Sequence, residues 1–439
     1  MGMMLPKEFL ERMKAQMGGE YEAFAGSYAQ KPVRGLRVNT LKLPREGFQA
    51  LSPWTLSPAD TLEEGFVLEE DVQGIGAHPY HMAGLFYMQE PSAMAAIDAL
   101  EVHPGMRVLD LCAAPGGKAG GIAARLAGEG LLVANDLSAQ RARVLLENVQ
   151  RLGVANAIVT NARPELFQTM LEGYFDAVLV DAPCSGEGMF RRDARAVEEW
   201  SLAHVFSCAQ RQRLILQSAA ACVRPGGTLV YATCTFSAEE NEGVVEAFLQ
   251  EHPEYALAFT RRLYPHQMRG EGQFVAKLIR DPEAPRGAEK HRAMRLSPCK
   301  DSGYAAFLRQ GFERLPEGFA AQLMDGRVQL LTGADMIPQA LGKIRILSAG
   351  VAVGEVGRGS FRPAHALALA QHGGKFATVL DFATDDPRLQ AFLRGEPVAA
   401  QQGEKGWCVV CAGGYSLGLG KASGGVVKNH LPENVRVRQ

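Results

Sequence analysis

Short apolar runs alternate with longer helical patterns from residue 107 to residue 249. Five of these runs are predicted strands, at 107–111, 131–136, 157–160, 175–181 and 227–233. Helical patterns follow at 118–126, 138–152 and 237–249, the second with Ser138 as its N-cap and the third opened by a predicted capping box, Ser237 to Glu240. Strands that are regularly separated by helices form a parallel, doubly wound sheet. The pattern therefore predicts an α/β chain whose central domain is Rossmann-like.

The regions on either side of this alternation differ from it in character. The N-terminal part combines one helical pattern with short strand-like runs and many turn formers, which predicts a small α+β module. A polar, charged and proline-bearing stretch after the central domain is typical of a linker. Beyond it we expect a short α+β subdomain and then a mostly β region. The predicted divisions, in chain order, are 1–80, 81–280, 281–300, 301–348 and 349–439.

Composition and charge exclude several classes of protein. The chain has 439 residues, with 46 basic and 48 acidic side chains, so its net charge of −2 neither favours nor excludes a nucleic-acid partner. Its eight cysteines show no framework spacing, which predicts reduced thiols. No stretch approaches the roughly 20 apolar residues of a membrane span, and the first residues lack a signal-peptide pattern. We therefore expect a cytoplasmic protein without a membrane partner or a bound metal.

Three segments of the C-terminal part need a separate interpretation. Cys408 and Cys411 form a lone CxxC inside an apolar run, and without a second such pair we predict strand residues there and no zinc site. The Gly-rich segment 418–425 does not match a P-loop and is predicted to be a turn. A strand-like run is predicted at 435–437.

Each of two predicted strands is followed closely by a cysteine. The strand at 175–181 delivers Asp181, Pro183 and Cys184 to its carboxyl end, and the strand at 227–233 is followed by Cys234. In open α/β sheets that end is where ligands bind. A single cysteine at a strand end is most often a small buried apolar side chain. This interpretation stays open for Cys184 and for Cys234 when each is considered alone. Two thiols and a carboxylate together indicate a reactive site.

The first strand of the alternation runs into a Gly-containing turn at 109–121. A strand, a tight turn and a helix N-terminus present backbone donors that suit an anionic group. The turn matches neither GxGxxG nor a P-loop, so the candidates are a purely structural turn and a site for S-adenosylmethionine, which needs no phosphate cradle. Asp136 ends the next strand, where a carboxylate can accept hydrogen bonds from both ribose hydroxyls. A solvated acid at a strand end is the alternative for Asp136.

Three sequence blocks carry a resemblance to a known family: CAAPGGK (112–118), DAPCSGEG (181–188) and ATCTFSAEENE (232–242). Together with QEPSAMAAIDAL (89–100), they resemble the Nop/Sun class of RNA cytosine-5 methyltransferases, in the order and at the spacing of that class. RLYPHQMRGEGQFVAKL (262–278) and GVAVGEVGRGSFRPAHALA (350–368) look like its bacterial ribosomal small subunit methyltransferase F subgroup. The resemblance implies an S-adenosylmethionine-dependent methyltransferase domain and a PUA-like, RNA-binding C-terminal region.

The resemblance also implies a set of site residues. Cys234 matches the nucleophile that adds to carbon 6 of cytosine, Asp181 the acid at ring nitrogen 3, and Cys184 the second cysteine, which assists release. Lys118 would act on the cofactor or orient Asp181. Arg163 stands where many members place an acid near the adenine, so its main chain or Asn161 would make that contact. The implied cofactor contacts are Cys112, Ala113, Ala114, Pro115, Gly116, Gly117, Lys118, Asp136, Arg163 and Asp181.

The implied partner is small-subunit ribosomal RNA, or the 30S subunit, and we expect a monomer. The target base would be flipped out of folded RNA to reach the thiol. The alternatives are a cytosine-5 methyltransferase of transfer RNA, DNA or other nucleic acid, and an RNA-binding ribosome assembly factor. Candidate RNA contacts form local basic clusters at Arg34 and Arg37, at Arg191, Arg192 and Arg195, at Arg261 and Arg262, and along the tail from Lys428 to Arg438.

Overall fold

A computed structural model describes residues 5–285, 291–357, 360–400 and 404–437 of the chain. Its N-terminal part has helices α1 (Lys7–Met17), α2 (Tyr21–Ser27), α3 (Arg45–Leu51) and α4 (Pro79–Met82). Its strands are β1 (Gly35–Val38), β2 (Leu56–Pro58), β3 (Gly65–Leu68) and β4 (Phe86–Met88). They form an antiparallel sheet in the order β2-β3-β1-β4, so this α+β unit extends past the predicted division at residue 80.

The central part contains the predicted alternation of strands and helices. Its helices are α5 (Ala95–Ala99), α6 (Gly117–Leu126), α7 (Ala139–Leu152), α8 (Pro164–Met170), α9 (Ala194–Glu199), α10 (Leu202–Cys222) and α11 (Glu242–Glu251). Its strands are β5 (Arg107–Asp110), β6 (Leu131–Asn135), β7 (Ala157–Thr160), β8 (Phe175–Asp181), β9 (Val223–Thr233), β10 (Tyr255–Leu263) and β11 (Gln273–Arg280). The predicted α/β, Rossmann-like class is confirmed.

The order of the strands in this sheet determines where a ligand can bind. The order is β10-β11-β9-β8-β5-β6-β7-β14, in which β5 to β9 run parallel and β10 and β11 antiparallel. From β5 the chain moves outward through β6 and β7, and then returns to place β8 on the other side of β5. This reversal opens a crevice at the carboxyl ends of β5 and β8, which is the usual ligand site of a doubly wound sheet.

The C-terminal part is mostly strand, as predicted. Its helices are α12 (Ser302–Gly311), α13 (His365–Ala370) and α14 (Pro387–Leu393). Its strands are β12 (Phe319–Gln322), β13 (Arg327–Leu331), β14 (Ile346–Ala349), β15 (Val351–Gly357), β16 (Ser360–Pro363), β17 (Val379–Phe382), β18 (Val398–Ala399), β19 (Gly406–Ala412), β20 (Tyr415–Ser423) and β21 (Val426–Asn429). They build sheets in the orders β12-β13-β15-β16 and β17-β19-β20-β21-β18, except that β14 joins the central sheet. The former sheet takes strands from both sides of the predicted division at 348.

Several local predictions can be compared with these elements. Ser138 caps α7 as predicted, since its side chain accepts a hydrogen bond from the Arg141 backbone N–H. The capping box at 237–240 is wrong, because α11 begins only at Glu242. The predicted turn at 418–425 is wrong for its first six residues, which belong to β20. The predicted strand at 435–437 is also wrong, since a short 3₁₀ turn ends at Val435. Every described helix is too short or too polar to cross a bilayer.

Candidate active site

The crevice between β5 and β8 opens into a cavity of about 1040 Å³. Its walls come from the segments that follow β5, β6, β8 and β9, together with the face of α10. Because these segments lie at the carboxyl ends of parallel strands, residues that are far apart in sequence meet there. The predicted site residues that line the cavity are Cys112, Ala114, Pro115, Lys118, Asp136, Asp181, Cys184 and Cys234.

The two cysteines contact each other at the floor of this cavity. The Sγ atoms of Cys184 and Cys234 lie 3.2 Å apart, and both side chains are only partly buried. The hydrogen bond to Cys234 raises the pKa of the Cys184 thiol well above its usual range, and burial raises it further. Cys184 therefore keeps its proton and can donate it in a hydrogen bond to the Cys234 sulfur.

Lys118 and Asp181 form an ion pair beside the cysteines. The Lys118 Nζ lies 2.6 Å from the Asp181 Oδ2, and the two side chains are 11% and 31% exposed. Burial alone would lower the pKa of Lys118, but the adjacent Asp181 carboxylate outweighs it, so the pKa is raised. Of the two roles that the sequence left open for Lys118, this geometry favours the one that orients Asp181.

The turn after β5 is shaped by Gly116, the residue immediately before α6. Gly116 has φ of 112°, and a Cβ atom there would lie 3.2 Å from the Leu145 Cδ1 of α7. Glycine is therefore the residue that lets the turn pack this closely against α7. Of the implied contacts in this turn, Ala113, Gly116 and Gly117 are not among the residues that line the cavity.

Sequence reasoning missed Asp110, the last residue of β5. Its side chain is completely buried, and no side chain among the described residues donates a hydrogen bond to either carboxylate oxygen. Burial, followed by repulsion from Asp181, raises the pKa of Asp110 to about 8. The signal that could have found it is its position, since a carboxylate that ends a central strand beside a ligand-binding turn is unusual in an apolar core.

Asp136 directly follows β6 and also lines the cavity. One of its carboxylate oxygens accepts a hydrogen bond of 2.8 Å from the Ser138 backbone N–H, and the other lies 3.6 Å from the Arg141 guanidinium. Arg163 does not line the cavity and its side chain is exposed, whereas the neighbouring Pro164 does. The Asn161 amide donates hydrogen bonds of 2.9 Å to the backbone oxygens of residues 136 and 137, so it braces the loop.

These walls fit S-adenosylmethionine. Its amino-acid end needs polar groups, which the turn at 112–118 provides, and its ribose needs an acceptor such as Asp136. Its adenine needs an apolar surface, and Leu137, a residue that is 63% exposed, lines the cavity. No cluster of metal-ligating side chains was found within the described ranges.

Several predicted RNA contacts are internal instead. Arg37 is 1% exposed and donates hydrogen bonds to the Gln89 Oε1 at 3.0 Å and the Gly117 backbone oxygen at 3.1 Å, so that prediction is wrong. The prediction that Arg191 contacts RNA is also wrong, since its side chain is 4% exposed and pairs with Glu271 at 2.6 Å. The Arg262 guanidinium is mostly buried in an ion pair with Glu242.

The remaining members of the predicted basic clusters lie closer to solvent. Arg192, Arg195 and Arg261 are exposed, and Arg195 also lines the cavity. Arg34 is partly exposed and pairs with Asp71 at 3.4 Å. At the end of the tail cluster, Arg438 lies outside the described residues.

Comparison with protein families places three matching domains along the chain. The family described as "16S rRNA methyltransferase RsmB/F" matches residues 97–279. The "N-terminal domain of 16S rRNA methyltransferase RsmF" matches residues 5–91, and the "Methyltransferase RsmF PUA domain" matches residues 379–437. The three matches correspond to the N-terminal, central and C-terminal parts of the fold.

Solved structures resemble about 63% of the chain. A methyltransferase homolog protein from Pyrococcus horikoshii is 30% identical and covers 63% of this chain and 95% of its own, with a TM-score of 0.55. NSun6 from Pyrococcus horikoshii, crystallised with the S-adenosylmethionine analogue SFG, is 25% identical over 63% of this chain and 98% of its own, also with a TM-score of 0.55. The cofactor expected from the sequence is thus the cofactor of this family.

Whole-length relatives extend the similarity to the entire chain. Ribosomal RNA small subunit methyltransferase F of Vibrio vulnificus is 33% identical over 98% of this chain and 97% of its own length. The protein of the same name from Klebsiella pneumoniae is 34% identical over 98% of this chain and 96% of its own. By this similarity across all of its domains, the chain belongs to the family of the ribosomal RNA small subunit methyltransferase F.

Proposed function

We propose that this chain transfers a methyl group from S-adenosylmethionine to carbon 5 of a cytosine in small-subunit ribosomal RNA. The observation that carries the proposal is the pair of thiols, with Cys184 and Cys234 3.2 Å apart beside the Lys118–Asp181 ion pair. A methyl transfer to oxygen or nitrogen needs no thiol, whereas carbon 5 of cytosine is a weak nucleophile that must first be activated. The names of the whole-length relatives support ribosomal RNA as the substrate.

Cys234 is the nucleophile of the proposed reaction. Its sulfur adds to carbon 6 of the cytosine, which makes carbon 5 electron-rich. The hydrogen bond that Cys184 can donate stabilises negative charge on the Cys234 sulfur, and the Lys118 cation is near enough to contribute. Bound S-adenosylmethionine supplies the electrophilic methyl group on its sulfonium. Transfer of the carbon 5 proton to solvent water then re-forms the ring double bond as the bond from Cys234 to carbon 6 breaks, and the electron pair of that bond returns to the Cys234 sulfur.

Asp181 acts on the other side of the base. It lies at the end of β8, three residues before Cys184, so a cytosine held over the thiols meets its carboxylate at ring nitrogen 3. Ring nitrogen 3 accepts hydrogen bonds, so Asp181 must supply a proton there. A proton passed from the Lys118 Nζ to the Asp181 carboxylate and on to nitrogen 3 neutralises the negative charge that develops as sulfur adds to the ring. The ion pair with Lys118 holds the Asp181 side chain in place for this contact.

Cys184 assists the release of the product. Because its thiol stays protonated next to the Cys234 sulfur, it can stabilise that sulfur as it leaves carbon 6. In this proposal the chain works in the cytoplasm, where thiols stay reduced, and all eight cysteines are free.

Substitution of each cysteine tests this assignment. Cys234→Ala should abolish methylation and any covalent complex with RNA, whereas Cys184→Ala should accumulate a covalent complex that survives denaturation. Cys299→Ala, in the C-terminal part, is the matched control and should behave as the wild type. Labelled S-adenosylmethionine, small-subunit RNA and bisulfite mapping give the readout. Methylation without any label on cytosine carbon 5 would refute the proposal, and a covalent complex formed by Cys234→Ala would reverse the two roles.

A further inference from the structure

Two buried glutamates connect the segments that carry the cysteines. We call residues 182–190, after β8, the Cys184 loop, and residues 234–241, after β9, the Cys234 loop. Glu187 belongs to the first loop and Glu240 to the second, and both are completely buried. Glutamate is almost never fully buried unless its carboxylate is paired, so the contacts of these two side chains need an explanation.

Glu240 holds the residue next to Cys184. Its Oε2 accepts hydrogen bonds from the Ser185 backbone N–H at 3.0 Å and from the Gln212 Nε2 at 2.8 Å, and its Oε1 accepts one from the Ser185 hydroxyl. The same Gln212 amide also donates to the Pro183 backbone oxygen at 3.0 Å. Glu240 and Gln212 therefore fix the backbone on both sides of Cys184.

Glu187, which belongs to the Cys184 loop, makes the reciprocal contacts with the Cys234 loop. Its Oε2 accepts hydrogen bonds of 2.8 Å from the Thr235 hydroxyl and from the Phe236 backbone N–H, and its Oε1 accepts one of 2.7 Å from the Ser237 hydroxyl. The Trp200 Nε1 donates to the same carboxylate at 2.9 Å. Each loop thus supplies a carboxylate that binds the other loop.

Direct contacts close the gap between the two loops. The Gly188 backbone N–H donates to the Cys234 backbone oxygen at 2.8 Å. The hydroxyl oxygens of Ser185 and Thr235 also lie 2.8 Å apart, while each hydroxyl donates its proton to a glutamate carboxylate. These contacts leave little freedom for one cysteine to move relative to the other. Apolar side chains could fill the same space at a lower desolvation cost. The buried carboxylates are therefore better explained by the relative position of the two loops that they fix than by a gain in stability.

We propose that Glu240 is a positioning residue that, through Ser185 and Gln212, holds the Cys184 thiol within hydrogen-bonding distance of the Cys234 sulfur. The proposal rests on the proposed function for the roles of the two thiols. Without Glu240, the Ser185 N–H and the Gln212 amide lose their buried acceptor, and the Cys184 loop must shift to satisfy them. Release of the product would then fail for the same reason as in Cys184→Ala.

The test compares Glu240→Ala, Glu240→Gln and Glu239→Ala in the full chain. The glutamine oxygen can still accept the bonds made at Oε2, so Glu240→Gln should stay close to wild type. Glu239→Ala is the control, because Glu239 lies in the same loop but pairs with Arg12 at 2.6 Å, outside the network. We expect Glu240→Ala to lower turnover at least about tenfold and to accumulate the covalent RNA complex. If Glu240 only stabilised the fold, Glu240→Ala would lower both the turnover and the amount of covalent RNA complex.

A second readout is independent of methyl transfer. Diamide joins two adjacent thiols into a disulfide, with two protons and two electrons passing to its azo bond, and peptide mass mapping identifies the pair. We expect the Cys184–Cys234 disulfide to form about tenfold more slowly in Glu240→Ala than in wild type or Glu239→Ala. If Glu240→Ala does not fold, Ser185→Ala should show the same change in both readouts, to a smaller extent.

Distinct results would overturn the proposal. Disulfide formation at the wild-type rate in folded Glu240→Ala would show that this carboxylate does not position the thiols. Loss of the covalent complex in folded Glu240→Ala would equally contradict it, because addition by Cys234 should survive. If Cys234→Ala still methylates cytosine, the proposed function fails, while the diamide rates continue to test the role of Glu240.

Discussion

Replacement of Asp110 by asparagine should stabilise the protein at neutral pH. Asp110 is completely buried, without a side-chain hydrogen-bond donor among the described residues, and its pKa is raised to about 8 by burial and by Asp181. In the unfolded chain the same carboxyl has its ordinary pKa of 3.8. Folding at pH 7 therefore requires a proton that the unfolded side chain does not hold, and asparagine removes that requirement at nearly the same size.

The size of the effect follows from the two pKa values. A folded-state pKa above the unfolded one means that the contribution of Asp110 to stability is full below pH 3.8 and is lost as the pH rises toward 8. At pH 7 the loss spans the interval from 3.8 to 7, which at roughly 1.4 kcal/mol per pH unit is about 4 kcal/mol. The advantage of Asp110→Asn should shrink to roughly 1.6 kcal/mol at pH 5.

Thermal unfolding of the cofactor-free proteins between pH 5 and pH 8 measures this difference. We expect the melting temperature of Asp110→Asn to exceed that of the wild type by several degrees at pH 7 and by much less at pH 5. Asp176→Asn is the matched control, because Asp176 lies in the neighbouring β8 and pairs with Arg107 at 3.1 Å and Arg224 at 2.5 Å, so its loss should destabilise. A pH-independent difference, or a less stable Asp110→Asn at pH 7, would refute the reasoning.

Two further substitutions probe the geometry of the site. Lys118→Met leaves the Asp181 carboxylate without its cation, so it should lower the unfolding free energy by about 2 kcal/mol and methylation at least about tenfold. Adding Asp181→Asn to this variant should restore stability but not methylation. A double variant that is no more stable than Lys118→Met alone would contradict this explanation. Gly188→Ala would place a Cβ atom 2.9 Å from the Cys234 backbone oxygen, so we expect about 1–3 kcal/mol of destabilisation and loss of methylation. Gly19→Ala, with no atom within 4 Å, is its control, and equal effects of the two would argue against a clash.

The parallel strands β5 to β9 were predictable because each contains a continuous apolar run between turn formers, whereas β10, β11 and β14 were not predicted as members of this sheet. Strands that are covered on both faces need such runs, and the intervening helices repeat apolar residues at helical spacing. The same logic brought Asp181, Cys184 and Cys234 to one edge of the sheet. Their side-chain distances could not be predicted, since these depend on contacts between segments about 50 residues apart.

The wrong predictions for the capping box and for Arg37 share one physical cause, which is a partner distant in sequence. Ser237 and Glu240 match a capping box, but their side chains bind residues of the Cys184 loop instead. Arg37 is typical of an exposed strand position, yet α6 has glycines at 120 and 121, where a Cβ atom would lie 2.9 Å and 3.2 Å from its guanidinium. The absence of two side chains on a neighbouring helix made room for a buried arginine.

The attachment of β14 to β7 makes the catalytic sheet depend on the C-terminal half of the chain. Ile346, Ser348 and Ala349 pair antiparallel with Thr160, Val159 and Ile158 at the outer edge of that sheet. A protein cut at the linker would leave unpaired the backbone groups on the outer edge of β7, and such open borders recruit strands from other molecules. Fragments that end near residue 300 should therefore aggregate, and the RNA-modifying unit cannot be trimmed to its central domain without a substitute for that last strand.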